Sequence, residues 1–115
     1  MDVQDDITTC FNMLTDYTVG IVGSAAWKPN PKDIDVLFPK LSEFLDACTR
    51  YHVKWNGWDA YNGRIRRGNW TCPGVSRPVQ FIHSEAVTDL ADHPYCVLLR
   101  DGTRFHEGVH YVKDT

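Results

Sequence analysis

The segment TVGIVGSAAWKPNPKDIDVLF, residues 18–38, contains two short apolar runs that are separated by a turn and a proline-containing spacer. Residues 18–22 are β-branched around one glycine and predict a buried strand, and Gly23-Ser24 ends that pattern. The two prolines within residues 25–32 are incompatible with a regular helix there. Residues 33–38 predict a second strand. The segment therefore predicts two strands joined by a turn that brings the chain back.

The second of these strands alternates apolar and acidic residues. Side chains alternate between the two faces of a strand, so two groups of residues are separated: Ile34, Val36 and Phe38 on one face, and Asp33, Asp35 and Leu37 on the other. Two carboxylates on one face repel each other unless a cation lies between them. Carboxylate oxygens are also the ligands that Mg²⁺ prefers. The pair is therefore a candidate metal site.

Two helices are predicted on either side of these strands. The first covers residues 5–17, with Asp5 or Asp6 as its N-terminal cap. The second covers residues 39–52, with Pro39 in its first turn. Apolar residues at helical spacing define their buried faces: Ile7, Cys10, Phe11 and Leu14 in the first, and Leu41, Phe44, Leu45, Cys48 and Tyr51 or His52 in the second.

The C-terminal half begins with an irregular segment, residues 54–77, which reads as a long loop or a ragged hairpin and is rich in Gly, Trp and Arg. Later elements follow in order: a strand at 78–83, a short helix at 84–92 capped by Ser84, a strand at 95–100, a hairpin turn at Asp101-Gly102, and an edge strand at 103–112. The expected fold is α/β (α+β), a small mixed β-sheet with helices packed on one side.

Composition limits the class of protein. The chain has 115 residues, which predicts one domain over residues 1–115, and a net charge of −3, which argues against nucleic-acid binding by bulk charge. No apolar run approaches the ~20 residues that span a bilayer, and the acidic N-terminus is unlike a secretory signal, so we expect a cytoplasmic protein without membrane contact. The four cysteines lack a CxxC pair and predict buried thiols, and His106 with His110 lacks a third zinc ligand.

The strand, Gly-Ser turn, spacer and Asp-hydrophobic-Asp-hydrophobic strand resemble the signature of the polymerase-β-type nucleotidyltransferase superfamily. Here Gly23-Ser24 is followed by eight residues and then by Asp33-Ile34-Asp35-Val36. RPVQFIH, residues 77–83, is similar to the third strand of small stand-alone phage and bacterial members, and DLADHPYCVLLRDGTRF, residues 89–105, is similar to a later strand and its turn. The similarity spans about residues 5–106, and its specific part is the Gly-Ser and Asp-x-Asp motif.

The resemblance implies a minimal nucleotidyltransferase fold and a metal-dependent enzyme that moves a nucleoside monophosphate from a nucleoside triphosphate to a hydroxyl group of a protein or RNA acceptor. Asp33 and Asp35 would be the catalytic residues and would bind Mg²⁺ or Mn²⁺. Gly23 and Ser24 would contact the triphosphate, whose oxygens Lys32 could also meet.

One position departs from the pattern. Active members commonly carry a third acid where this chain has Gln80, and Glu85 or Asp92 are the nearby acids. The alternative is therefore a catalytically inactive binding module of the same fold, whose aromatic and basic segment 54–77 binds a protein or RNA partner. Interleaved cations and aromatics suit such contacts, and the candidate residues are Arg64, Arg66, Arg67 and Trp70.

Overall fold

The computed structural model describes residues 2–55, 65–84 and 96–106. Its elements, in chain order, are helix α1 (Val3–Met13), strand β1 (Gly20–Val22), a 3₁₀ turn (Gly23–Ala26), β2 (Ile34–Phe38), α2 (Leu41–Arg50), β3 (Arg66–Trp70), β4 (Val79–His83), β5 (Cys96–Leu98) and β6 (Arg104–His106).

The strands form one six-stranded sheet in the order β3-β4-β2-β1-β5-β6. The β2–β4 pair is parallel, and the other neighbouring pairs are antiparallel. Helices α1 and α2 both contribute to the main buried cluster together with alternate residues of β2 and β4. The predicted α+β fold, a mixed sheet with its helices on one side, is thereby confirmed for the part of the chain that is described.

The core on the helix-bearing face is aromatic. Phe38 of β2 is fully buried, and edge-to-face contacts join its ring to Tyr17, Phe44 and Phe81 at centroid distances of 5.9, 5.9 and 4.9 Å. A second buried cluster lies on the opposite face of the sheet, as the alternation along each strand requires. Its members are Val22, Leu37, Ile65, Ile82, Val97 and Leu99.

Helix α1 begins earlier than the sequence predicted. Its N-terminal cap is Asp2, whose carboxylate accepts a hydrogen bond from the Gln4 N–H, and so the expectation of Asp5 or Asp6 at the cap was wrong. The carboxylate of Asp6 is instead buried within the fold, where it meets partners from elsewhere in the chain. Beyond the other end of the helix, the Arg100 guanidinium donates to the carbonyl groups of Leu14 and Tyr17, both at 3.1 Å.

Helix α2 presents a narrower apolar face than expected. It begins at Leu41 with Lys40 at its cap, so Pro39 lies outside it. Leu41 and Leu45 are each 38% exposed, which corrects the predicted stripe. The buried residues follow the helical spacing i, i+3, i+4 at Phe44, Ala47 and Cys48.

The predicted loop or ragged hairpin at 54–77 contains a regular strand, β3, at one edge of the described sheet. Gly68 allows this strand to approach the segment before it: a Cβ on Gly68 would lie 2.6 Å from Val53 Cγ1 and 2.9 Å from the Lys54 carbonyl oxygen. Trp55 forms an isolated antiparallel bridge with Gly68. The described residues of segment 54–77 therefore match the predicted ragged hairpin better than the predicted long loop.

The hairpin turn between β5 and β6 is confirmed. Gly102 adopts a φ of +90°, its N–H donates to the Leu99 carbonyl at 3.0 Å, and the Leu99 N–H donates to the Thr103 carbonyl at 2.8 Å. The expected helix at 84–92 lies outside the described residues apart from its first, the buried Ser84. None of the helices that are described is both long enough and apolar enough to cross a membrane.

Candidate functional site

The register of β1 and β2 brings the Gly-Ser turn to the start of β2. Val22 is the partner of Asp35 in this antiparallel pair. Because the strands run in opposite directions, the residues that follow Val22 lie beside those that precede Asp35. Ser24 and Asp33 therefore lie at the same end of the sheet, although nine positions separate them along the chain.

The turn itself has the backbone that the sequence suggested. Gly23 is buried and adopts a φ of +70°, a conformation that side chains with a Cβ rarely take. The Ser24 carbonyl accepts hydrogen bonds from the N–H groups of Trp27, at 3.2 Å, and Lys28, at 2.7 Å. Ser24 is half-buried, so part of it remains accessible to a ligand.

The two aspartates differ in their backbone setting. Asp35 lies within β2, on the face opposite the helices and two residues before the fully buried Leu37. Asp33 lies in a bend immediately before the strand, which begins at Ile34 and not at residue 33 as expected. Both residues are half-buried. The pair therefore lies at the end of the sheet where β2 begins. The direction of the Asp35 side chain is set by its position within the strand.

Gln80 lies directly beside Asp35. The two residues are register partners in the parallel β2–β4 pair, and Asn69 of β3 is the partner of Gln80 on its other side. Gln80 Nε2 donates to Asn69 Oδ1 at 3.1 Å, and Arg67 Nη1 donates to Gln80 Oε1 at 3.3 Å. The position next to the aspartate therefore carries an amide joined to a second amide and a guanidinium.

Asn69 was missed at the sequence level. The signal that could have found it is the alternation within Arg66–Trp70: Arg67 and Asn69 share one face of the strand, while Gly68 and Trp70 share the other. Recognising that signal requires knowing that β3 pairs with β4, which the irregular composition of residues 54–77 concealed.

Asp33 and Asp35 offer carboxylate oxygens, the ligand type that suits a divalent cation such as Mg²⁺. Two half-buried carboxylates can hold Mg²⁺, which usually completes its coordination with water and phosphate oxygens. The guanidinium of Arg67 beside Gln80 fits poorly with a second cation at that position, because like charges repel. Within the described ranges there is no cluster of three or more His, Cys, Asp or Glu side chains that could hold a metal.

A buried ion pair holds the spacer that leads to the aspartates. Arg77 Nη1 donates to Asp6 Oδ2 at 2.6 Å, and Arg77 Nε donates to the Pro31 carbonyl at 3.0 Å. The Ser76 hydroxyl also donates to Asp6 Oδ2, at 3.0 Å. This network joins α1, the segment before β4, and the chain two residues before Asp33.

The charge state of Asp6 follows from these contacts. Burial by itself raises the pKa of this carboxyl, but the hydrogen bonds from Arg77 and Ser76 and the charge of Arg77 outweigh it, so that the pKa is lowered from its ordinary value. Asp6 is fully buried, whereas the Arg77 side chain is 18% exposed. The Asp6 carboxyl therefore stays charged at neutral pH, and its ion pair with Arg77 holds the spacer in place.

The basic and aromatic candidates that the structure describes, Arg66, Arg67 and Trp70, do not form one surface. Trp70 is 5% exposed, and its ring packs against those of Tyr51 and Phe81 at centroid distances of 5.1 and 4.8 Å. It is therefore a core residue, and the predicted contact with a nucleic acid was wrong. Arg66 and Arg67 are consecutive in β3 and project from opposite faces, with the Arg66 guanidinium 5.6 Å from the centre of a Trp55 ring.

The remaining residues that the sequence singled out are exposed, buried or outside the described part of the chain. Lys32 is exposed next to Asp33, and nothing described joins it to the turn. Arg64, Glu85, Asp92 and His110 lie outside the described residues. The four cysteines are buried and free, as the sequence predicted: Cys10, Cys48, Cys72 and Cys96.

Comparison of the chain with protein-family models, with curated proteins and with solved structures gave no match.

Proposed function

We propose that this chain is a metal-dependent nucleotidyltransferase that binds a nucleoside triphosphate between the Gly23-Ser24 turn and the Asp33/Asp35 pair. The observation that supports it is the register of Val22 with Asp35, because that register puts the glycine-serine turn and both carboxylates at one end of the sheet. A triphosphate needs backbone N–H groups and a cation close together, and this is the arrangement that can supply both.

The proposed reaction is a displacement at the α-phosphorus. The oxygen of an acceptor hydroxyl, on a protein or an RNA, forms a bond to the α-phosphorus. The bond from that phosphorus to the oxygen bridging the α- and β-phosphates breaks, and its electron pair leaves with pyrophosphate. The hydroxyl proton passes to water, since the amide of Gln80 cannot act as a base.

The residues have separate roles in this proposal. Asp33 and Asp35 would hold Mg²⁺ or Mn²⁺, which when bound supplies neutralisation of the phosphate charge. Gly23 leaves the turn without a Cβ, and Ser24 offers a hydroxyl to a phosphate oxygen. The Asp6–Arg77 pair holds the spacer at Pro31 and so limits the positions that Asp33 can take.

A second candidate function is nucleotide binding without transfer. The observation that favours it is the hydrogen bond from Arg67 to Gln80, since a guanidinium-bound amide occupies the position beside Asp35. In this case the fold serves as a binding module for a protein or RNA partner, with the nucleotide as its ligand. The described residues of segment 54–77 offer that partner Trp55 and Arg66 on one face of β3 and Asn69 on the other.

The test of ligand binding is thermal stabilisation by each of the four nucleoside triphosphates with Mg²⁺. A ligand at one hundred times its Kd stabilises the folded state by about 2.7 kcal/mol. We expect Asp35→Asn to abolish this shift. The matched control is Asp5→Asn, which removes the same charge from an exposed position in the first turn of α1 and should keep the full shift.

Transfer is tested separately with triphosphates labelled at the α-phosphate, incubated with a cell lysate and the protein. Label that becomes covalently attached to protein or RNA in the wild type, and is lost in Asp35→Asn, supports the enzyme. A thermal shift without any attached label would favour the binding module. No thermal shift with any of the four triphosphates would overturn both candidates.

A further inference from the structure

Trp27 is an exposed aromatic side chain at the end of the Gly23–Ala26 turn. It is 45% exposed, which is more than Trp55 at 39% and Trp70 at 5%. A tryptophan that is 45% exposed keeps a large apolar area in contact with water, so core packing accounts for only part of this side chain.

The partners of Trp55 and Trp70, the other two tryptophans among the described residues, show the contrast. Trp55 makes an edge-to-face contact with Phe44 at 5.8 Å and lies under the Arg66 guanidinium, and Trp70 packs in the core. The ring contact of Trp27 within the described residues is with the Lys28 ammonium, 5.0 Å from the centre of a ring. The ammonium lies over one face of the indole, and among the described residues the exposed part of the ring is accessible to a flat ligand.

The backbone fixes Trp27 relative to Ser24. Its N–H and that of Lys28 both donate to the Ser24 carbonyl, at 3.2 and 2.7 Å. Trp27 follows Ser24 by three residues and is the C-terminal cap of the 3₁₀ turn, with a φ of −143°. The backbone hydrogen bonds therefore hold Trp27 close to the serine whose hydroxyl is proposed to meet phosphate.

We propose that Trp27 stacks on the base of the nucleoside triphosphate whose phosphates lie at the Gly23-Ser24 turn. This inference rests on the proposed function and adds to it the residue that holds the nucleoside. Every nucleobase has a π-face, so a stacking contact of this kind raises the affinity for all four bases with little preference among them. Lys28, over the indole, adds positive charge beside the phosphates.

The experiment measures two affinities by calorimetry: that for ATP with Mg²⁺, and that for inorganic tripolyphosphate with Mg²⁺, which has phosphates but no base. We expect Trp27→Ala to weaken ATP binding by roughly 5- to 150-fold, the range that corresponds to one base–aromatic stacking contact. The tripolyphosphate affinity should stay unchanged, and Trp27→Phe should retain most of the ATP affinity. Similar losses are expected with the other three triphosphates.

The control is Leu41→Ala, which removes another large apolar side chain of similar exposure, 38%, from the start of α2 and not from the turn. It should leave both affinities as in the wild type. The inference is overturned if Trp27→Ala binds ATP as tightly as the wild type, or if it loses ATP and tripolyphosphate to the same extent. If the wild-type protein binds no triphosphate at all, the proposed function fails first and the inference fails with it.

Discussion

Gln80 is the register partner of Asp35 across the parallel pair β2–β4, so an amide lies beside the aspartate that is proposed to bind the metal. Its carbonyl oxygen accepts a hydrogen bond from Arg67, and its amide nitrogen donates to Asn69. This relationship makes one substitution especially informative, because adding a carboxylate there changes the charge beside Asp35 without changing the size of the side chain much.

We expect Gln80→Glu to strengthen the response to Mg²⁺. The new carboxylate would be repelled by Asp35 but would pair with Arg67, so without metal the free energy of unfolding should change by no more than about 1 kcal/mol. With Mg²⁺ the added oxygen ligand should lower the metal concentration that gives half of the maximal thermal stabilisation. The control is Asn69→Asp, which adds the same charge one strand farther from Asp35. An unchanged metal response in Gln80→Glu would contradict the placement of the cation at this pair.

The buried ion pair between Asp6 and Arg77 should contribute far more to stability than the exposed ion pair between Asp16 and Arg50. Arg77→Ala leaves a fully buried carboxylate without its cation, and we expect the free energy of unfolding in urea to fall by roughly 3–5 kcal/mol. The comparison is Arg50→Ala, which breaks the Asp16–Arg50 pair with a similar distance, 2.7 Å, but with side chains 67% and 50% exposed. Arg50→Ala should lower the free energy of unfolding by no more than about 1 kcal/mol. Equal losses in the two variants would show that burial does not govern these pairs.

Protonation of Asp6 at low pH should lower the free energy of unfolding. The pKa of this carboxyl is lower in the folded protein than its ordinary value, so its contribution to stability is fully present above the unfolded pKa, about 3.9, and is lost as the pH falls through the folded pKa. We expect urea unfolding to show a fall in stability below about pH 4. Asp6→Asn should be less stable at neutral pH and should show a smaller fall in this range. A wild-type slope retained in full by Asp6→Asn would assign the acid sensitivity to other carboxyl groups.

Gly68→Ala should destabilise the protein by overpacking. The added Cβ would lie 2.6 Å from Val53 Cγ1 and 2.9 Å from the Lys54 carbonyl oxygen, so β3 must move or the neighbours must yield. Such strain costs about 1–3 kcal/mol, measurable as a change in urea midpoint. The double variant Gly68→Ala with Val53→Ala removes the side-chain part of the clash, and its loss should be smaller than the sum of the two single losses. Strictly additive losses would rule out that contact as the cause.

Local patterns in the sequence were sufficient for the elements that carry the site. The alternation from Ile34 to Phe38 assigned Ile34, Val36 and Phe38 to the face that packs against the helices, and Asp35 and Leu37 to the other face. The strand before Gly23 and the Asp101-Gly102 hairpin are also present. These features depend on neighbours a few residues apart, and the periodicity of side-chain direction records them directly. The same reasoning misjudged how far helix α2 buries its leucines, because that depends on what packs against the helix.

The sequence by itself determined the strand, turn and strand of residues 18–38 and the alternation that sets Asp35 apart from its apolar neighbours. Only the tertiary structure decided that Gln80 and Asn69 stand beside that aspartate, and that Asp6 is buried against Arg77. The physical reason is that strand pairing and buried ion pairs join residues far apart in the chain. Their energies depend on register and on exclusion of water, which no local spacing encodes.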